Sequence, residues 1–158
     1  MQTTMKDLEW ECHSFQNLNN KQLYALLKLR VDVFIVEQQC AYPELDEKDQ
    51  HQETRHLLAQ HGTDVVAYSR LLPPGLSYSE ASIGRFVVAE TFRKQGLGFL
   101  LLTKSLEQIT TLWPQKDIKI SAQEYLKNFY EKAGFKKISN SYLEDGIPHI
   151  EMLKQYSQ

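Results

Sequence analysis

The spacing of apolar positions along the chain changes several times, and each change marks an element boundary. Residues 8–15 alternate closely enough for a short strand, and the polar run Asn17-Leu18-Asn19-Asn20 behind them supplies side-chain acceptors that can cap a helix. Leu23, Leu26, Leu27, Arg30, Val31, Phe34 and Ile35 then recur at helical spacing, which assigns them to core packing. Residues 37–53 have no period, one proline and several acids; so long a loop in a compact domain is usually functional or mobile. Residues 55–60 and 64–72 read as strands around the turn His61-Gly62-Thr63. After the break at Pro73-Pro74-Gly75, residues 81–88 form a third strand ending in Phe86-Val87-Val88. A helix runs from the glycines at 96 and 98 to about Leu112, with Leu97, Leu100, Leu101, Thr103, Lys104 and Leu106 toward a sheet, and stops at Pro114. Residues 118–122 are a strand and 125–133 a helix stopped by Gly134. Residues 135–139 and 147–154 are closing strands joined through an Asp145-Gly146 turn. The order β-α-βββ-α-β-α-ββ, with no repeat, predicts a mixed α/β sheet in one domain over residues 1–158.

Composition narrows the class. The chain is 42% hydrophobic and 24% charged, typical of soluble globular proteins. It holds no run near the roughly 20 apolar residues of a membrane span. Residues 1–10 carry acids where a signal peptide needs an apolar stretch, so the expected location is the cytoplasm. With 18 Lys and Arg against 20 Asp and Glu the net charge is −2, which argues against a nucleic-acid partner or a polybasic membrane anchor. That charge is uneven. Residues 37–53 hold six acids and one base (−5), whereas residues 90–137 hold five acids and nine bases (+4). Cys12 and Cys40 fit neither a disulfide framework nor a CxxC site. Cys40, Asp46, Asp49, His51 and His56 match no zinc or EF-hand spacing, so no metal is expected.

The chemistry concentrates after the third strand. Phe86-Val87-Val88 is followed by Arg93-Lys94-Gln95-Gly96-Leu97-Gly98 at a helix start, where glycines admit close backbone approach and free amides favour an anion such as a pyrophosphate. A P-loop would need Gly-Lys-Ser/Thr, which is missing. A dinucleotide fold would need Gly-x-Gly-x-x-Gly after its first strand, whereas Phe99-Leu100-Leu101 follows here. Residues 93–98 match in full the Arg/Gln-x-x-Gly-x-Gly/Ala pattern of the coenzyme A loop of GCN5-related N-acetyltransferases. Asn128-Phe129-Tyr130-Glu131-Lys132-Ala133-Gly134-Phe135 resembles the later helix of that superfamily. Leu29-Arg30, Val33-Phe34, Val36-Glu37-Gln38, Cys40, Tyr42, Arg55-His56, Ile83-Gly84-Arg85 and residues 144–149 resemble its ElaA-like branch. Residues 33–38 are also similar to acyl-homoserine lactone synthases.

The resemblance implies acetyl-CoA as co-substrate and direct attack by an amine on its thioester, without a covalent enzyme intermediate. It implies that the backbone of Phe86, Val87 and Val88 pairs with pantetheine, with the Val88 amide donating to the thioester oxygen. Arg93, Lys94, Gln95, Gly96, Leu97, Gly98 and Phe99 would hold the pyrophosphate, Asn128 would bond pantetheine, and Tyr130 would protonate the leaving thiolate. For the base that deprotonates the amine, Glu37 comes first, with His149 and His56 as alternatives because an imidazole titrates near neutrality. The expected acceptor is a small-molecule or peptide amine, and the acidic segment 37–53 favours a cationic one. A homodimer sharing a sheet edge through the last strands is also open. Competing readings are a non-catalytic acyl-CoA sensor and an enzyme using a longer acyl donor.

Overall fold

In the computed structural model, which describes residues 5–157, two antiparallel sheets meet side by side. The first runs β1 (Glu9–His13), β2 (Arg55–His61), β3 (Asp64–Leu72) and β4 (Ser82–Val88) in that order. The second places β8 (Ile147–Lys154) at its centre, with β5 (Ile118–Gln123) on one side and the short β6 (Lys136–Lys137) and β7 (Tyr142–Glu144) on the other. The helices are α1 (Asn20–Arg30), α2 (Leu97–Leu112) and α3 (Lys127–Glu131). The mixed α/β fold expected from the chain order is therefore present.

Local chemistry explains most boundaries. Asn19 caps α1 by accepting from the Gln22 amide (2.8 Å), and Gln22 returns the bond to the Asn19 amide (3.2 Å), a capping box. The buried face of α1 is Gln22, Leu26, Leu29 and Arg30, so Arg30 is inside while Val31 is 38% exposed. The helix then continues as a π-helical segment, Val31–Glu37, in which Val33 and Ile35 accept from the amides of Gln38 and Cys40 five residues on. On α2, Leu97, Leu101, Leu102, Ser105 and Ile109 are buried. The span 125–133 is shorter than its pattern suggested: a 3-10 turn, Glu124–Leu126, leads into the single turn of α3. The Asp145-Gly146 turn joins β7 to β8 rather than following a long strand over 135–139. β8 is interior to its sheet, between β5 on one side and β6 and β7 on the other.

Two features of β4 open a site. Against β3, the pairs Tyr68–Val87 and Arg70–Gly84 leave Ser69 facing both Arg85 and Phe86, a β-bulge, with Arg85 at φ 49°. Against β5, contact is confined to its start. The Ala81 amide donates to Asp117 (3.2 Å) and its carbonyl accepts from Lys119 (2.9 Å), an isolated parallel bridge. Beyond it the strands share no ladder, and a cavity of about 620 Å³ lies in the gap.

Candidate active site

The gap has backbone groups on offer. The Ala89 amide donates to the Val66 carbonyl (2.8 Å), so the next pair, Ala67 and Val88, is the non-bonded pair of the antiparallel ladder. The Val88 N–H and C=O therefore point away from β3, toward the gap. Its carbonyl accepts instead from Arg93 Nε (3.0 Å). Val87, one residue back, faces β3 and the core around Leu58 and Tyr68.

Past Val88 the chain turns through Lys94 (φ 63°) and Gly96 (φ 84°) into α2. No side chain caps α2, and its first intrahelical bond runs from the Leu100 amide to the Gly96 carbonyl (3.1 Å). The amides of Leu97, Gly98 and Phe99 thus have no partner within the helix and lie at its positive end, a ready anion cradle. Lys94 and Gln95 are exposed beside it. Arg93, which lines the cavity, is engaged by a carboxylate. Its guanidinium forks onto Glu37 with bonds of 2.9 and 2.8 Å, so it ties the π-helical segment to the tip of β4.

Tyr130 lies against the cavity floor, 6% exposed, with its ring 6.1 Å from Phe86 and 5.1 Å from Phe129. Its hydroxyl makes no hydrogen bond among the described residues, and burial pushes its pKa well above the ordinary phenol range. Asn128, one turn away from the floor, is exposed and does not line the cavity.

The opposite end is walled by the segment after the π-helix, and here the sequence reading missed a network. Arg30, fully buried, donates to Glu44 Oε2 (2.5 Å), Asp49 Oδ1 (2.8 Å) and the Glu44 carbonyl (3.2 Å). Arg70 bonds Asp46 (2.6 Å) and Asp49 (3.0 Å). Arg85, delivered by the bulge, bonds Glu44 (2.9 Å) and reaches Asp46 (3.5 Å). Tyr42 donates to Glu44. Among the described residues the Arg70 Nε is a buried nitrogen of this network with no partner. Burial opposes ionisation of Asp46 and Asp49, but the arginine bonds outweigh it, and both carboxyls titrate below their ordinary range. One signal was legible: an arginine in the apolar face of a helix needs an acid, and six acids follow in residues 37–53.

The histidines separate. His56 is outside the cavity, accepting from the Tyr68 hydroxyl (2.6 Å) and donating to the Asp49 carbonyl (2.9 Å), and burial lowers its pKa. His149 lines the cavity, stacked on Tyr142. Its Nδ1 donates to the Ile147 carbonyl (2.7 Å), so Nε2, 3.2 Å from Glu144, is the nitrogen free to take a proton. Glu37 also borders the cavity, with both oxygens held by Arg93. Burial pushes the Cys12 thiol up to about 11, which keeps it in the thiol form near neutral pH. Among the described residues no group of three or more His, Cys, Asp or Glu side chains could hold a metal, and no helix is long and apolar enough to cross a membrane.

A splayed pair of strands with an anion cradle at the following helix defines a class, and comparison with known proteins agrees. The model of the acetyltransferase (GNAT) domain matches residues 21–156, and the chain belongs to that family, whose activity class is acyl-CoA-dependent acyl transfer. Within it the chain is ElaA-like: it is 40% identical over 151 residues to ElaA of Escherichia coli K12, covering 96% of this chain and 99% of ElaA. The crystal structure of E. coli ElaA superposes with a TM-score of 0.89 over 94% of this chain and 99% of its own. An acyl-CoA N-acyltransferase from Pseudomonas aeruginosa gives 0.90 at 41% identity, covering 93% and 99%. A GNAT acetyltransferase from Elizabethkingia anophelis with acetyl-CoA bound shares the fold at 16% identity and a TM-score of 0.61, over 95% and 99%.

Proposed function

We propose that this protein is an N-acetyltransferase that transfers the acetyl group of acetyl-CoA to an amine by direct attack in a ternary complex. The observation that carries this reading is one cavity faced by both the outward Val88 backbone and the unpartnered Tyr130 hydroxyl. Pantetheine fits the unpaired edge of β4 as an added strand, and the pyrophosphate fits the amides at residues 97–99. The acetyl-CoA seen in the Elizabethkingia neighbour supports the two-carbon donor.

Each residue then has a task. The amine lone pair attacks the thioester carbonyl, and the Val88 N–H donates to the oxygen as it gains charge. As the carbon–sulfur bond breaks, Tyr130 gives its proton to the sulfur, and burial keeps that proton on the hydroxyl until this step. The amine's surplus proton goes to His149 Nε2, and the adjacent Glu144 stabilises the imidazolium formed. Glu37 is better read as the clamp on Arg93 than as the base. The acceptor's positive charge meets Glu144 and Asp145, since the acids at 44, 46 and 49 are already matched.

Thioester consumption over a panel of amines, with acetyl-, butyryl- and hexanoyl-CoA and calorimetric titration of each donor, tests this. Turnover fastest with acetyl-CoA is expected. Donor binding with no turnover on any amine would instead make the protein a sensor.

A further inference from the structure

The acidic segment 37–53 contributes to the cavity the reverse of what its composition suggests. Glu44, Asp46 and Asp49 face Arg30, Arg70 and Arg85, three charges against three, and Glu37 faces Arg93. Lys48 is left over. It lines the cavity half-buried, and its ammonium donates to the Ser77 hydroxyl (2.6 Å), with no ion pair among the described residues. Arg85 lines the same wall with Nε and Nη2 committed to Glu44 and Asp46, and Nη1 makes no bond among the described residues. Asp46 accepts from the Arg85 guanidinium (3.5 Å) and from the Lys48 backbone amide (3.1 Å).

The other wall has the opposite sign. Glu144, Asp145 and His149 line it, with Glu144 half-exposed and accepting from Ser121 (3.3 Å). The cavity therefore carries an uncompensated cation on one side and carboxylates on the other. A part-buried ammonium held by a hydroxyl instead of a carboxylate, in a cavity also lined by a guanidinium with an open donor, is suited to an anionic group. A purely cationic acceptor would leave that wall unmatched.

Building on the acetyl-transfer reading, we propose that the acceptor is an amine that itself bears an anionic group, of the amino-acid class. Its ammonium faces Glu144 and His149, and its anion is held by Lys48 and Arg85. Carboxylate and phosphate share this chemistry.

The test uses the full chain with saturating acetyl-CoA and paired acceptors: lysine against 1,5-diaminopentane, leucine against 3-methylbutylamine, phosphoethanolamine against ethanolamine. The anionic member of a pair is expected to show at least about a tenfold higher kcat/KM, the size of one charge-assisted contact. Whichever of the carboxylate or phosphate pairs shows the larger ratio identifies the anion. Lys48→Gln should bring the ratio near one through KM, and Lys48→Arg should retain it, with acetyl-CoA affinity reporting that each variant is folded. Equal or reversed preference, or a preference surviving Lys48→Gln, overturns the proposal. If no amine is turned over, the acetyl-transfer reading fails on its own account. Calorimetry of lysine against 1,5-diaminopentane on the CoA-loaded protein then still decides: tighter, Lys48-dependent binding of lysine supports the proposal, and its absence overturns it.

Discussion

Burial sets the chemistry of Tyr130. Desolvation disfavours the phenolate, so the hydroxyl keeps its proton at neutral pH and is available as a donor. Tyr130→Phe is expected to lower kcat by about 10²-fold, the usual range for losing a positioned acid. Acetyl-CoA affinity should stay within about twofold, because the hydroxyl makes no bond that binding relies on. Equal kcat in the variant would remove Tyr130 from the mechanism. Glu37 and His149 can be separated in the same way. Glu37→Gln keeps an acceptor for Arg93 and should retain turnover to within a few-fold, whereas His149→Gln keeps the ring's place but removes the proton site and should lower kcat by about 10-fold or more. The pH–rate profile tests the assignment further: its acidic limb should vanish in His149→Gln and persist in Glu37→Gln.

The start of α2 depends on one residue's backbone. Gly96 sits at φ 84°, a region in which a Cβ is strained, and its carbonyl receives the helix's first bond. A Cβ there would have only a methionine carbon at 4.0 Å, so the penalty is conformational. Gly96→Ala should destabilise the fold by about 1 kcal/mol and weaken acetyl-CoA binding more than it slows the bound complex. Denaturant unfolding and donor titration measure the two parts. The glycines were legible because punctuation of this kind acts within a few residues. The bulge at Arg85 and Phe86 was not, because it is defined by pairing with Ser69, and neither was the π-helical segment, whose apolar spacing differs little from an ordinary helix. Residues 135–139 show the same limit: their apolar positions suit a strand, but only Lys136 and Lys137 join the β8 ladder, followed by a single backbone bond from the Ile138 amide to the Glu151 carbonyl (2.9 Å).

At the scale of the whole molecule, the network of Arg30, Arg70 and Arg85 with Glu44, Asp46 and Asp49 ties α1, β3 and β4 to the segment that walls the cavity. Removing one member leaves a buried charge unmatched. Asp49→Asn is expected to cost about 3–5 kcal/mol, read from denaturant midpoints. Stability should also fall with acid in two stages. His56 has a depressed pKa, so the unfolded chain binds the proton first, and stability is lost as pH falls below its ordinary value of 6.5. Asp46 and Asp49 are likewise depressed, and their contribution is lost as pH falls below about 3.8 toward their lower folded values. Unfolding free energy measured between pH 8 and 3 checks this, and a flat profile from 7 to 5 would contradict the His56 part.

The sequence by itself showed the element order as far as the later helix, the glycines at 96 and 98 at a helix start and the tyrosine on the later helix, because each is written in spacing that acts over one turn or one strand; the extra closing strand, Tyr142–Glu144, was not legible in it. It also showed an excess of acid over residues 37–53, but not what that excess faces. Only the tertiary structure decided that three of those acids are matched by arginines 14 to 41 residues away in the chain, that Arg93 pairs with Glu37, and that Lys48 lines the cavity without an ion pair among the described residues. Charge is additive along a chain, whereas ion pairing depends on distance in space, and distance is what folding supplies.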